Sequence, residues 1–149
     1  MRVMIGVCYL QLIALTYVVS VLMGAPVLTD IVRTLGFSSY LVIIGFTPII
    51  LSSKGQLKDI YDFLMRNEMH SMVSSMKRRL FMRNLAWGTM IGAWFGAIAI
   101  PLDWDRWWQR WPITCLVSST MGAILSVIIS SVWISIQSRR HFSVLVKSN

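Results

Sequence analysis

The sequence predicts an all-α membrane protein: four transmembrane helices, with a cytosolic amphipathic helix between helices 2 and 3. Three observations predict it. The 149 residues are 56% apolar and only 13% charged, with a mean hydropathy of +0.65, whereas a soluble domain carries roughly 25% charged residues. Charge is absent from four runs, 3–29, 34–53, 84–102 and 111–138. The net charge of +8 is concentrated between those runs. A pI near 10.2 suits nucleic acid in isolation, but uncharged runs of this length need hydrocarbon around them, so no nucleic-acid partner is expected.

About 20 helical residues cross a hydrocarbon core of about 30 Å, and each run reaches that length. Inside the bilayer every backbone N–H and C=O must be satisfied within its own segment, which selects helices. The expected spans are about 3–28, 34–53, 84–102 and 112–136, in a single multi-pass domain covering 1–149. The first run resembles a secretory signal in having Arg2 before it and Gly24-Ala25 near its end. It is longer than a signal core, and Pro26 makes a poor cleavage context, so it is expected to stay as a span.

The connecting stretch 54–83 is amphipathic. Leu57, Ile60, Tyr61 and Leu64 form one helical stripe, and Met69, Met72, Val73, Met76 and Leu80 another, with lysine and arginine elsewhere. Such a helix lies on the cytosolic leaflet against anionic headgroups, although a methionine stripe also suits an adaptable partner groove. His70 and His141 stand alone, without ligand spacing. No metal or cofactor is expected.

The third run places Gly88, Gly92 and Gly96 on one helix face, and the fourth repeats small residues at Thr114, Ser118, Gly122, Ser126 and Ser130. Lipid gives apolar faces no preference for one another, so helices associate where small residues let backbones approach. Gly88, Gly92, Gly96, Ser118, Gly122 and Ser126 are the expected packing residues, against each other or against a partner. The short turn 102–111 makes the antiparallel neighbour the first choice.

Eleven of the fourteen basic residues, Arg2, seven in 54–83 and three in the tail, fall on one side, and Arg33, Arg106 and Arg110 fall on the other. Positive segments stay cytosolic, which places both termini and the long loop there. The acidic residues divide three and three, so the cytosolic side carries the whole net charge. Cys8 and Cys115 then sit near opposite membrane surfaces, beyond the roughly 7 Å limit for a disulfide.

The turn reads I-P-L-D-W-D-R-W-W-Q-R-W-P-I-T. Asp103, Asp105 and Arg106 lie among Trp104, Trp107, Trp108 and Trp111, an aromatic belt at interfacial depth. Two carboxylates and two guanidiniums could meet a phosphate or a divalent ion. They lack a third metal ligand and a nucleophile with its base, and Asp–Arg pairs between Pro101 and Pro112 also serve simply to shape a turn. No catalytic residue is expected.

The segment I-G-A-W-F-G-A-I-A-I-P-L-D-W-D-R-W-W-Q-R-W-P-I closely resembles the signature of the PIG-F family, the phosphatidylinositol-glycan biosynthesis class F proteins. The resemblance rests on Gly92-Ala93-Trp94, Gly96-Ala97, Pro101 to Arg106, Trp108-Gln109 and Trp111-Pro112-Ile113. It extends back through Gly24-Ala25-Pro26 and forward through Trp133. It implies an endoplasmic-reticulum protein that binds and stabilises the catalytic ethanolamine phosphate transferases acting on the second and third mannoses of the GPI precursor, without being an enzyme itself. Partners would then be those transferases and membrane lipid. Trp107 and Arg110 depart from the usual proline and apolar residue, and members usually carry further spans ahead of Gly24-Ala25-Pro26, so a short form is expected. A lipid-headgroup or metal-binding turn that presents phosphatidylethanolamine is the alternative. A lipid transporter is a further one, weakened by the absence of charge within the spans.

Overall fold

The computed structural model describes residues 2–26, 30–65, 73–98 and 110–147, which are helices and the turns that end them. The helices are α1 (Arg2–Leu22), α2 (Ile31–Ser52), α3 (Leu57–Met65), α4 (Val73–Ile98) and α5 (Ile113–Lys147).

α1 ends at Leu22, within the first uncharged run, because Gly24 takes a φ of 101° that favours glycine. With Gly24 left-handed, the Ala25 N–H reaches back to the Ser20 carbonyl at 3.0 Å and Gly24 N–H to Val21 at 3.0 Å. This glycine-capped helix end satisfies carbonyls that lipid could not. Pro26, two residues past the glycine, has no N–H with which to continue the helix. The Gly24-Ala25 pair that resembled a cleavage site is a helix stop.

α2 begins beside the Asp30–Arg33 ion pair, 2.9 Å apart. It contains one wide π turn, Val42–Phe46, just ahead of Pro48. Proline lacks an N–H and its ring collides with the carbonyl four residues back, and the extra residue in the turn relieves that collision. Gly45 lies in the widened turn, where a Cβ would stand 3.3 Å from Thr89 Cβ on α4. The helix ends on Lys54 (φ 55°), with the Gly55 N–H bonded to the Ile50 carbonyl at 3.1 Å. Gly55 (φ 84°) backs onto α1, since its Cβ would fall 2.9 Å from the Ile5 nitrogen.

These two glycines make a matched test. Gly24→Ala meets open space and should cost about 1 kcal/mol from φ alone. Gly55→Ala adds a main-chain collision and should cost clearly more, read as thermal stability in detergent. Equal costs would show that the α2–α3 turn does not rest on α1.

Directions follow from the contacts. Gly55 sets the C-terminal end of α2 beside the N-terminal turn of α1. Tyr40 and Thr120 share a hydrogen bond at 2.6 Å, and Trp111 donates to Thr34 at 3.0 Å, so α2 and α5 run the same way. Lys77 donates to Ser138 at 2.6 Å and Asn84 to Ser130 at 3.0 Å, so α4 runs against α5. Arg2, Lys54, Lys58, Lys77, Arg78, Arg79 and Arg83 therefore gather at one end of the bundle, and Arg33 and Arg110 stand at the other.

The stretch 54–83 divides differently from the expectation. α3 is short and turns Ile60, 3% exposed, into a core cluster with Cys8, Leu12, Val42, Phe46, Ile49, Ile50 and Ala86, while Leu57 and Tyr61 point outward. The second stripe begins in residues outside the described set, and from Val73 it belongs to α4, continuous with the third uncharged run. No separate second surface helix exists from Val73 onward, because nothing between Val73 and Asn84 breaks a helix. The Arg79 guanidinium lies 4.7 Å over the Phe63 ring and fastens α3 to α4.

Among the described residues three helices, rather than the expected four, are long and apolar enough to cross a membrane: Arg2–Leu22, Ile31–Ser52 and Ile113–Arg139. α4 carries Lys77, Arg78, Arg79 and Arg83 in its first half, which leaves 15 uncharged residues, Asn84 to Ile98, before the described part ends.

The buried helix faces are lined by hydroxyls. Thr34, Ser38, Thr89, Ser119 and Ser130 are fully buried. Most spend their protons on their own helix: Ser38 on Thr34 (2.9 Å), Thr89 on Leu85 (2.7 Å) and Ser119 on Leu116 (2.9 Å). A hydroxyl bonded back to its helix behaves as a small apolar group, which is how these chains pack closely without water. The outward faces carry Val3, Leu10, Leu22, Val117, Ile129 and Trp133, each more than half exposed. Such a surface suits lipid and not water.

Candidate helix interface and membrane cavity

The glycine face of α4 meets α5 directly. A Cβ on Gly92 would stand 2.5 Å from the Ser118 carbonyl oxygen and 2.9 Å from Ser119 Cα. On Gly96 it would stand 2.6 Å from Cys115 Cα, and on Gly88 2.6 Å from Ser126 Cβ and 2.7 Å from the Gly122 oxygen. Gly122 faces the Gly88 and Gly92 backbone in return. The structure thus brings Gly88, Gly92, Gly96, Ser118, Gly122 and Ser126 into one seam within the chain.

Two members of the seam were not expected. Cys115 and Ser119, 1% and 0% exposed, are more deeply buried than Ser118, which offers its carbonyl rather than its side chain. The signal was present, since Cys115, Ser119 and Ala123 repeat every fourth residue one position beyond the Thr114–Ser118–Gly122 ladder. The seam falls between the two ladders because a helix groove, not a single row, receives its neighbour. The two cysteines lie in separate clusters: Cys8 with Leu12 and Phe46, Cys115 with Phe37 and Leu41.

Of the tryptophan-rich turn, Asp103, Trp104, Asp105, Arg106 and Trp108 lie outside the described residues, and Trp111 lies within them. Trp111 ties α5 to α2 twice over. Its Nε1 donates to Thr34 Oγ1, and its ring stands edge-on to Phe37, with centroids 5.2 Å apart at 71°. On one side of this pair Arg33, Gly36 and Arg110 border a shallow recess.

On the other side lies a cavity of about 470 Å³, walled by α1, α2, α4 and α5 at the end opposite the lysines. Thr16, Ser20, Leu41, Met90, Ala93 and Cys115 belong to its wall. The Gly24-Ala25-Pro26, Ala93-Trp94, Ala97 and Trp111 positions of the sequence signature line it as well. Three of its polar side chains are already engaged: Thr16 Oγ1 donates to Leu12 at 2.9 Å, Ser20 Oγ to Thr16 at 2.8 Å, and Trp111 Nε1 to Thr34. Its lining is mainly apolar, with the Trp94 indole N–H left at the open side. Periodicity does not reveal this cavity, because its walls come from four helices far apart in sequence.

Among the described residues no group of three or more His, Cys, Asp or Glu side chains is placed to hold a metal. What the site offers is shape: a tight internal seam beside an open apolar chamber.

Comparison with known proteins places this architecture. Residues 1–131 match GPI biosynthesis protein family Pig-F. A Mus musculus protein named GPI ethanolamine phosphate transferase, stabilizing subunit, is 33% identical over 128 residues, which are 86% of this chain and 56% of that protein. The Homo sapiens protein of the same name is 33% identical over 118 residues, 79% of this chain and 52% of its own length. Glycosylphosphatidylinositol anchor biosynthesis protein 11 of Candida albicans is 34% identical over 117 residues, 76% of this chain and 42% of its own. The chain spans about half the length of these relatives. No solved structure matches.

Proposed function

The chain belongs to the GPI biosynthesis protein family Pig-F, and from that premise we propose that it is a non-catalytic membrane subunit that binds and stabilises a GPI ethanolamine phosphate transferase. The observation that carries this is the match over 86% of the chain to a stabilizing subunit of that name. The geometry supports the same reading. The seam consumes the small-residue faces inside the chain, so Gly88, Gly92 and Gly96 hold the α4–α5 hairpin, and the faces left for a partner's helices are the apolar outer ones.

In this reading the bundle crosses the endoplasmic-reticulum membrane four times, α4 making the third crossing in addition to α1, α2 and α5, with the lysine-rich end and both termini in the cytosol. The partners are the transferases that modify the second and third mannoses, together with membrane lipid. The turn that contains Asp103, Asp105 and Arg106 faces the lumen.

Affinity purification of the tagged full chain in a gentle detergent tests the proposal. A GPI ethanolamine phosphate transferase is expected in the eluate, and its cellular level is expected to fall when the chain is removed. A transferase that neither co-purifies nor changes in abundance overturns it.

A further inference from the structure

We propose that the cavity between α1, α2, α4 and α5 is a binding site for one acyl chain of a bilayer glycerophospholipid. This is independent of the transferase partnership and concerns what the chain itself holds.

Three observations carry it. The cavity is about 470 Å³, within the roughly 300–1,000 Å³ of pockets that enclose small ligands. Its walls are mainly apolar: the Thr16 and Ser20 hydroxyls are bonded to their own helix and the Trp111 indole to Thr34, which leaves the Trp94 indole N–H at the rim. The part of an occupant that lies against these walls is therefore apolar, and a polar end can meet the Trp94 indole at the rim. The rim is formed by Val19, Met23 and Trp94, which are 39%, 58% and 53% exposed on outward faces. In an apolar bundle the medium at such a rim is lipid, and the hydrocarbon available there is a phospholipid tail.

The use of small residues on α4 points the same way. Gly88, Gly92 and Gly96 are small because backbone lies against them. Ala93 and Ala97, one position further along, face the open chamber, where a larger side chain would fill the space. Ala93 and Ala97 pack on one side against the Phe37, Leu41 and Cys115 cluster and on the other border the chamber. Gly24, Ala25 and Cys115 keep the other walls short.

The test uses the full chain in phosphatidylcholine nanodiscs that contain a phosphatidylcholine with a diazirine on one acyl chain, with cross-linked peptides read by mass spectrometry. Labelling is expected to concentrate on the peptides bearing Val19 to Pro26 and Met90 to Ala97. Ala93→Phe is expected to lower it about tenfold, equivalent to a tenfold loss of occupancy. Ile91→Phe, on the exposed face of the same turn, is expected to leave it unchanged. Ala97→Leu serves as a second filling variant should Ala93→Phe fail to fold. Labelling spread evenly over the outer residues Val117, Ile124 and Ile128 overturns the proposal. So does labelling that Ala93→Phe and Ala97→Leu leave intact, or a chamber that another polypeptide segment shields from the probe.

Discussion

Gly92→Leu is expected to separate α4 from α5 and to destabilise the bundle by about 3 kcal/mol, the upper part of the range for overpacking. The reason is the identity of the obstructing atoms. A Cβ at position 92 meets the Ser118 carbonyl oxygen at 2.5 Å and Ser119 Cα at 2.9 Å. Neither can rotate away as a side chain would, so the helices must move apart along their shared length. That movement also pulls Asn84 from Ser130 and Lys77 from Ser138. Gly36→Leu provides the control, because nothing lies within 4 Å of a Cβ there. Unfolding in mixed detergent should rank the variants Gly92→Leu well below Gly36→Leu, with Gly36→Leu close to the parent. A Gly92→Leu protein as stable as Gly36→Leu would mean that the seam does not exist in the membrane.

The Gly88–Gly92–Gly96 face was legible in the sequence because glycines at four-residue spacing on a helix in lipid favour close backbone approach. The sequence left open whether that approach was internal, and only the spatial partner Gly122 decides it. Charge-free runs located the helices but not their ends. An uncharged run does not distinguish helix from turn, so the first run continues past Leu22, where Gly24 turns the chain. Conversely, the charged residues Lys77 to Arg83 were read as part of a surface helix separate from the third span, whereas α4 runs straight through them into that span, as the helix-forming lysines and arginines allow. Pro48 and Gly45 together signal the wide turn of α2, but a hydropathy pattern weighs neither. The cavity lay beyond any periodic reading, since Thr16, Phe37, Ala93 and Cys115 share no register.

Trp111→Ala is expected to cost about 3 kcal/mol, the lower bound for truncating a large aromatic, because the side chain is only partly buried. Two interactions go at once, the edge-on contact with Phe37 and the hydrogen bond to Thr34. They can be told apart. Trp111→Phe keeps a ring against Phe37 and loses the N–H donor, so it should cost about 1 kcal/mol. Thr34→Val removes the acceptor, and Thr34 Oγ1 also donates to the Asp30 carbonyl at 3.1 Å, so its own cost includes that bond. Combining Trp111→Phe with Thr34→Val isolates the shared part. Because both lose the same bond, the double variant should be less destabilised than the sum of the singles, by about 0.6 kcal/mol, the average for polar contacts between membrane helices. Strict additivity would show that the Trp111–Thr34 hydrogen bond contributes nothing to holding α2 against α5. Since Phe37 and Trp111 also wall the acyl-chain cavity, Trp111→Ala should loosen the chamber as well as the bundle. Its lipid cross-linking should therefore spread beyond Val19 to Pro26 and Met90 to Ala97, whereas Trp111→Phe should keep the parent pattern.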